Sequence, residues 1–171
     1  CSTNGSKSCS VELTKDAETK IKISNPNWTD VSIPYDDKTF REYLNPKITV
    51  ITVCLNSALT IERSIKSVLS QTYKNIEYIF VDGGSNDGTL DVIKKYNKYV
   101  THIISEKDNG IYDAMNKGLR LAKGTIVYFL NTDDLLYDES VFETVVKAFQ
   151  RFPLADVVYG NARLVYEDGE K

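Results

Sequence analysis

The sequence alternates short apolar runs with segments of helical periodicity, and this alternation limits the folds open to the chain more than any other feature. The run ITVITVCLN at residues 48–56 is rich in β-branched residues and carries no charge, which is typical of a strand buried on both faces. A helical pattern follows at residues 60–71, and the succession then repeats along the chain. We predict strands at 48–56, 76–82, 100–105, 125–130, 156–160 and 162–171, and helices at 60–71, 89–99, 111–123 and 140–152.

Strands that alternate with helices of this length form a mostly parallel sheet with helices on both faces. The predicted fold class is therefore α/β, with three α/β/α layers. Residues 1–46 lack sustained periodicity, so we interpret them as an N-terminal arm or linker, partly disordered at its start. Within this arm we expect a short strand at 21–23 and a short helix at 37–44. The folded domain is predicted to occupy residues 47–171.

Composition and charge exclude several classes of function. A length of 171 residues suits one domain, and a net charge of −3 with scattered basic residues gives no footprint for nucleic acid. No apolar run approaches the roughly 20 residues that a membrane-spanning helix needs. Two of the three cysteines lie in the polar N-terminal tail and Cys54 lies in a strand, which is no pattern for disulfides or a metal cluster. A reducing cytoplasm is the plain inference.

Polar residues follow each of the first four predicted strands of the domain. In a parallel sheet these positions share one edge, where ligands of open α/β sheets bind. Asp82 and Asp133 come directly behind apolar runs, where a carboxylate is costly to bury without a partner. The four polar stretches are residues 56–57, 82–85, 106–110 and 131–134.

The stretch NTDD at residues 131–134 predicts a metal site. Adjacent carboxylates repel each other and a bare phosphate, but they suit a diphosphate bridged by Mg²⁺ or Mn²⁺, which prefer oxygen ligands. The alternative is helix capping, in which Asp133 or Asp134 caps the segment after the strand, or Asp138 caps the helix near residue 139. Capping explains Asp138 better than it explains Asp133.

Other candidate features point to structure rather than chemistry. The glycines of the loop 83–88 match neither the dinucleotide-binding fingerprint nor the P-loop. His102, the sole histidine, alternates within a strand and is interpreted as partly exposed, and Cys54 is interpreted as a core residue. In the third helix, four residues at helical spacing are expected to face the sheet, namely Ile111, Met115, Leu119 and Ala122.

Three segments together resemble the family 2 glycosyltransferases, namely residues 48–89, 105–124 and 127–134. The resemblance implies the A-type glycosyltransferase fold, a Rossmann-like sheet for nucleotide-diphospho-sugars. It also implies a UDP-linked donor and a divalent metal, Mn²⁺ or Mg²⁺. The similar proteins are bacterial transferases of surface polysaccharide or O-antigen, so the implied acceptor is a saccharide or a lipid-linked molecule.

The resemblance assigns roles to residues at the sheet edge. It implies that the backbone near Leu55 and Asn56 lies beside the base, and that Asp82 accepts a hydrogen bond from the uracil ring. Ser85 lies in the adjoining loop, and Asp113 with its neighbours lines the nucleotide and sugar pocket.

The family's D-x-D motif falls on residues 131–133, but Asn131 stands in place of its first aspartate. Asn131 keeps an oxygen ligand or ribose partner and removes one charge. The metal is therefore assigned mainly to Asp133, with Asp134 second.

Family 2 enzymes invert the anomeric centre, and a carboxylate acts as the base. That base normally comes from a later segment, so we expect it beyond Lys171, and we expect the domain to be incomplete at its C-terminus and a poor catalyst alone. The implied location is the cytoplasm. A position at the inner face of the membrane would depend on regions outside this chain.

Two other functions stay open. One is a sugar-nucleotidyltransferase-like enzyme, although residues 56–64 lack the Gly-rich basic loop that it would need. The other is a non-catalytic nucleotide-sugar-binding or interaction module.

Overall fold

The computed structural model describes the backbone of residues 10–14, 20–24 and 31–34, and both backbone and side chains of residues 42–164. The first three segments form an antiparallel sheet in the order β1-β2-β3, composed of β1 (Ser10–Thr14), β2 (Lys20–Ser24) and β3 (Val31–Pro34). The predicted strand at 21–23 is confirmed within β2, whereas β1 and β3 were not predicted. Residues 42–44 are helical, as predicted, and residues 37–41 lie outside the described residues. The domain division at residue 46 stays a prediction.

A second sheet of four parallel strands carries the predicted α/β fold. Its order is β6-β5-β4-β7, so the first strand of the domain lies inside the sheet. The predicted helix at 89–99 is divided, because a 3₁₀ turn at Asn97–Tyr99 follows its α-helical part. The elements are β4 (Ile48–Cys54), α1 (Ile61–Leu69), β5 (Ile76–Asp82), α2 (Thr89–Lys94), β6 (His102–Ser105), α3 (Ile111–Leu121), β7 (Ile126–Phe129) and α4 (Val141–Arg151).

Alternate residues of the central strands enter two separate cores, one on each face of the sheet. Ile48 and Val50 of β4 pack on the side of α1, α2 and α4, in the larger core. Ile51 and Val53 pack on the opposite side, against Ala114 of α3. Because side chains alternate across a strand, the sheet lies between two helical layers, which confirms the three-layer arrangement. No helix in the described part of the chain is long and apolar enough to cross a membrane.

The two predicted C-terminal strands are not found in the described residues. Residues 156–164 have no regular secondary structure, and residues 165–171 lie outside the described part. Val157 is 75% exposed and Tyr159 is 93% exposed, so the alternation seen in the sequence buries no apolar face. A strand is stable only when its backbone pairs and one of its faces is covered, and the apolar pattern alone provides neither.

The buried face of α3 agrees with the prediction in part, since Met115 and Ala122 pack against the smaller core as expected. Ile111 and Leu119 are about half exposed, while Ala114 and Gly118 are buried. A Cβ added at Gly118 would lie 2.5 Å from Cγ2 of Ile51 in the sheet. The helix packs closely through Ala114 and Gly118, so Ile111 and Leu119 are displaced to the margin of the contact.

Gly124, between α3 and β7, lies too close to β4 to accept a side chain. A Cβ there would be 2.6 Å from the carbonyl oxygen of Lys47 and 2.7 Å from the backbone nitrogen of Thr49. Sheet backbone cannot yield locally, so we expect Gly124→Ala to lower the free energy of unfolding by about 3 kcal/mol. Chemical denaturation measures this. Gly160→Ala is the matched control, since open space surrounds Gly160, and equal stability of the two variants would contradict the packing described.

Glu77, near the start of β5, holds the segment between α3 and β7 against the amino end of the sheet. Its Oε2 accepts hydrogen bonds from Thr49 Oγ1 at 2.6 Å and from the Lys123 N–H at 2.7 Å. Burial raises the pKa of Glu77, but these hydrogen bonds, with the charges of Lys47 and His102, outweigh burial and lower the pKa below its ordinary value. The carboxylate form therefore stabilises the fold.

The stabilisation by Glu77 is expected to depend on pH. A lowered folded pKa gives stability that is present above the ordinary pKa of 4.5 and is lost as pH falls through the folded pKa. At pH 7, Glu77→Gln should cost about 2 kcal/mol of unfolding free energy. Denaturation of both proteins from pH 7 to pH 3 should show the difference narrowing below pH 4.5. A difference that is constant over this range would exclude the charge as its cause.

Candidate functional site

Four loops follow the carboxyl ends of the parallel strands, as the sequence predicts. The loops after β4 and β5 are joined by backbone-to-side-chain hydrogen bonds. The Asn56 N–H donates to Ser85 Oγ at 2.8 Å, and Asn56 Oδ1 accepts from the Asn86 N–H at 3.0 Å. Asn56 has a φ of 52°, a left-handed conformation that asparagine tolerates better than most residues. Leu55 beside it is 58% exposed, so the chain presents an apolar side chain at this edge.

Asp82, the last residue of β5, organises the loop that follows it. The residue is fully buried, and its carboxylate accepts hydrogen bonds from the Gly84 N–H, the Ser85 N–H, Ser85 Oγ and Ser105 Oγ. These donors explain how a carboxylate is tolerated behind an apolar strand. They also occupy both of its oxygens, so its role toward a uracil ring stays a prediction. Ser85 likewise donates to Asp82 and accepts from Asn56.

Asp87 closes the same loop against the start of α1. Its Oδ1 accepts from the Thr89 N–H and hydroxyl, and its Oδ2 accepts from the Ala58 N–H at 3.0 Å. The Thr89 hydroxyl is the acceptor for the Ser57 N–H at 2.7 Å. The hydrogen bonds from Thr89, which contribute most, and from Ala58 hold the pKa of Asp87 below its ordinary value. The Asp87 carboxylate therefore holds the loop after β4 against the loop after β5.

The loop after β6 is held by Lys117 of α3. Its ammonium lies 2.8 Å from Glu106 Oε1 and 3.4 Å from Asp113 Oδ2. The hydrogen bond from the Asn109 N–H lowers the pKa of Asp113 most, and the positive charge of Lys117 lowers it further. Asp113 is therefore ionised at neutral pH. Asp108 contacts the second loop, because a Cβ added at Gly83 would meet its Oδ2.

The predicted metal-binding stretch forms a tight turn after β7. The Asp134 N–H donates to the Asn131 carbonyl at 3.2 Å, and Asn131 Nδ2 donates to Asp134 Oδ2 at 3.0 Å. An aspartate at position 131 would instead place a like charge beside Asp134. Asp133 is exposed, and in the described part of the chain no hydrogen bond or ion pair holds its carboxylate. The turn therefore presents Asp133 to solvent.

Two buried polar side chains, Ser64 of α1 and Gln71 just after this helix, contact the segment between β7 and α4, a feature that the sequence analysis missed. Ser64 is fully buried, and its Oγ lies 2.8 Å from both the Thr132 and the Asp134 carbonyl oxygens. Gln71, 1% exposed, donates to the Asp138 carbonyl and accepts from the Phe142 N–H in the first turn of α4. The available signal was a serine, Ser64, on the buried face of α1, and it did not identify the backbone atoms that Ser64 contacts.

Asp138 holds a local turn ahead of α4 and does not take the helix-capping role considered from the sequence. Its Oδ1 accepts from the N–H and the hydroxyl of Ser140 at 2.8 Å, and Ser140 precedes the first residue of α4. These bonds lower the pKa of Asp138. The first-turn N–H of Phe142 is instead bonded to Gln71, so helix capping accounts for neither Asp138 nor Asp133.

Cys54 and His102 behave as interpreted from the sequence. Burial, and then the negative charge of Asp82, raise the pKa of the Cys54 thiol to about 12. The thiol is therefore protonated and a poor nucleophile. His102 is half-buried in β6.

The four loops form one continuous surface. Thr132 Oγ1 donates to Ser57 Oγ at 3.1 Å, which joins the turn after β7 to the loop after β4. Asp82 accepts from Ser105, which joins the carboxyl ends of β5 and β6 from which the other two loops leave. The structure thus brings the predicted residues of all four loops to one edge. Within the described residues, no group of three His, Cys, Asp or Glu side chains is arranged as a metal site.

Comparisons with known proteins agree with this geometry. The model of the family "Glycosyl transferase family 2" matches residues 49–170. A "PGL/p-HBAD biosynthesis glycosyltransferase" of Mycobacterium tuberculosis is 35% identical over 121 residues, which are 68% of this chain and 46% of that protein. The chain thus spans about half the length of the curated relatives that it matches.

Two solved structures share the fold. The crystal structure of S. aureus TarS 1-349 in complex with UDP has a TM-score of 0.56 and 25% identity, and covers 60% of this chain and 32% of that one. The mannosyltransferase PcManGT from Pyrobaculum calidifontis, in complex with GDP-Man and Mn²⁺, has a TM-score of 0.56 and 27% identity. The match covers 63% of this chain and 32% of that one. The parallel sheet, its loop-lined carboxyl edge and the match over residues 49–170 lead to one conclusion: the chain belongs to glycosyl transferase family 2.

Proposed function

We propose that this chain binds a nucleotide-diphospho-sugar, with UDP as the nucleotide, for transfer of the sugar to a saccharide or lipid-linked acceptor. The observation that carries the proposal is the exposed Asp133 carboxylate on a fixed turn, joined through Thr132 and Ser57 to the loops after β4 and β5. Relatives in complex with UDP and with GDP-Man support a donor of this class.

The loops after β4 and β5 are the proposed site for the base. Leu55 offers an exposed apolar side chain for contact with the flat face of a base. Asn56 and Ser85 fix the backbone beside it. In this arrangement Asp82 orders Ser85 and Gly84, and Asp113, held ionised by Asn109 and Lys117, faces the ribose or sugar.

The turn at residues 131–134 fits a divalent cation. Mg²⁺ and similar hard cations bind through one or two carboxylates together with substrate phosphates, so a cluster of three acidic side chains is not required. Asp133 offers an exposed carboxylate without a protein partner in the described residues, and Asp134 is engaged by Asn131. We assign the metal mainly to Asp133 and secondarily to Asp134. Bound there, Mn²⁺ or Mg²⁺ would offset the charge that develops on the departing diphosphate.

We propose inversion at the anomeric carbon, in which the acceptor hydroxyl attacks from the side opposite the diphosphate. This step needs a carboxylate that can accept the hydroxyl proton. At the described edge Asp82, Asp87 and Asp113 are all engaged by donors. We therefore place the base outside the described residues.

The proposed setting is the cytoplasm, at the inner face of the membrane, in the synthesis of a surface polysaccharide such as O-antigen. The buried, reduced Cys54 thiol suits a reducing compartment. A lipid-linked acceptor would explain a location beside the membrane.

A panel of ligands tests the proposed class of donor. Calorimetric titration of UDP, GDP, ADP and UTP into the chain with Mn²⁺ should give the tightest binding for UDP. Tighter binding of UTP, with release of pyrophosphate on addition of a sugar 1-phosphate, would instead favour a nucleotidyltransferase. Absence of binding by every nucleotide would favour the non-catalytic module.

A further inference from the structure

We infer that Ser64 is a positioning residue that sets the direction of the Asp133 carboxylate for the metal and diphosphate. This inference rests on the proposed function and deepens it. Ser64 lies in α1, and the turn that it contacts is 68 and 70 residues further along the chain. Its hydroxyl contacts the carbonyls on both sides of Asp133, those of Thr132 and Asp134, each at 2.8 Å.

The contacts are well placed to fix one residue. The carbonyls of Thr132 and Asp134 belong to the peptide units on either side of the Asp133–Asp134 link, so holding both limits rotation of the backbone around Asp133. Ser64 is fully buried, and a hydroxyl carries one proton, which the two acceptors share. Both acceptors would lose their donor together if the hydroxyl were removed.

The turn is also anchored at its two ends. Leu130 is 3% exposed and Leu136 is 7% exposed, and both belong to the larger core. The Leu136 N–H donates to Ser67 Oγ at 3.3 Å, one helical turn after Ser64. The polar residues 131–134 therefore form a short bridge between two apolar anchors. Ser64 contacts this bridge near its middle, where Asp133 is exposed.

The apolar anchors explain why the turn folds, but they do not orient Asp133. The five residues 131–135 between Leu130 and Leu136 retain backbone freedom at their centre even with both ends fixed. The exposed carboxylate has no side-chain partner in the described residues, so its direction depends on the backbone beneath it. Ser64 is the buried side chain that contacts this backbone on both sides. Outer contacts of this kind typically change metal affinity by about 10–100-fold.

The test measures the factor by which Mn²⁺ tightens UDP binding, which is the ratio of the dissociation constants in EDTA and in Mn²⁺. Ser64→Ala should reduce this factor about tenfold and leave binding in EDTA nearly unchanged. Ser67→Ala is the matched control, because it makes the same change one turn later and loses bonds to the Leu136 N–H and the Ser64 carbonyl, while the Ser64 hydroxyl is kept. The factor for Ser67→Ala should stay close to that of the wild type. Thermal unfolding of both variants measures the purely structural cost.

A second variant keeps the test decisive if Ser64→Ala does not fold. Ser64→Cys preserves a weak donor of similar size and should give an intermediate factor. A wild-type factor in Ser64→Ala would overturn the inference and leave the proposed function intact, as would a loss in Ser67→Ala equal to that in Ser64→Ala. If Ser64→Ala does not fold, a wild-type factor in Ser64→Cys would overturn the inference instead, because a thiol is the weaker donor. A wild-type protein that binds UDP equally well in Mn²⁺ and EDTA would overturn both the inference and the metal assignment.

Discussion

Replacing Asp133 by asparagine is expected to remove the Mn²⁺-dependent part of UDP binding. The substitution keeps the size of the side chain and removes the charge that a divalent cation requires. In the described residues the Asp133 carboxylate makes no internal hydrogen bond, so its loss should leave thermal stability unchanged within about 0.5 kcal/mol. Calorimetry should show an affinity for UDP in Mn²⁺ lowered about tenfold or more, and an unchanged affinity in EDTA.

Asp156→Asn provides the control for this prediction. Asp156 is also exposed and lies after α4, so the same change of charge occurs away from the turn. Its UDP affinity should match the wild type under both conditions. Full Mn²⁺ dependence in Asp133→Asn would remove Asp133 from the site and would leave Asp134 as the carboxylate to examine.

Replacing Asp82 by asparagine is expected to act differently, because Asp82 is an internal acceptor. An amide offers one oxygen, and its NH₂ group would face the N–H and hydroxyl donors of Ser85 or the hydroxyl of Ser105. A buried donor left without an acceptor costs about 1–3 kcal/mol, so we expect a loss of about 3 kcal/mol in the free energy of unfolding. The loop at Gly84 and Ser85 should lose its order, and UDP affinity should fall with and without Mn²⁺.

Asp91→Asn is the control for Asp82→Asn. Asp91 is exposed on α2 and makes one long ion pair with Lys94 at 4.0 Å, so this substitution should change neither stability nor binding. Hydrogen exchange of the Ser85 amide reports the loop directly and should be faster in Asp82→Asn. If stability is unchanged and UDP affinity alone falls, Asp82 acts by direct contact with the base.

The sheet was predictable because its strands are continuous apolar runs. The predicted strand at 76–82 matches β5 residue for residue, and the predicted strand at 48–56 exceeds β4 by two residues. The prediction was wrong at residues 156–160, where an equally apolar pattern has exposed side chains. Periodicity describes what a segment can bury, but a partner strand and a covering layer decide whether it does.

The location of the site could be predicted from the sequence, but its internal contacts could be predicted less well. Parallel strands bring their carboxyl ends to one edge, so the gathering of residues near 56, 85, 108 and 133 followed from topology. The contacts of Ser64 and Gln71 could not be predicted from topology. Each side chain bonds to backbone atoms 67 residues or more away along the chain, and backbone atoms carry no sequence signature. The burial of Asp82 beneath Ser85 and Ser105 likewise depends on the packing of two loops.

The crystal structure of this chain with UDP and Mn²⁺, with the metal located by its anomalous scattering, tests the central claim most directly. We expect one Mn²⁺ ion held by a carboxylate oxygen of Asp133 together with the diphosphate, with the base against the loops after β4 and β5. Nucleotide bound away from the carboxyl edge of the sheet, or Mn²⁺ on the diphosphate without contact to Asp133, would contradict it.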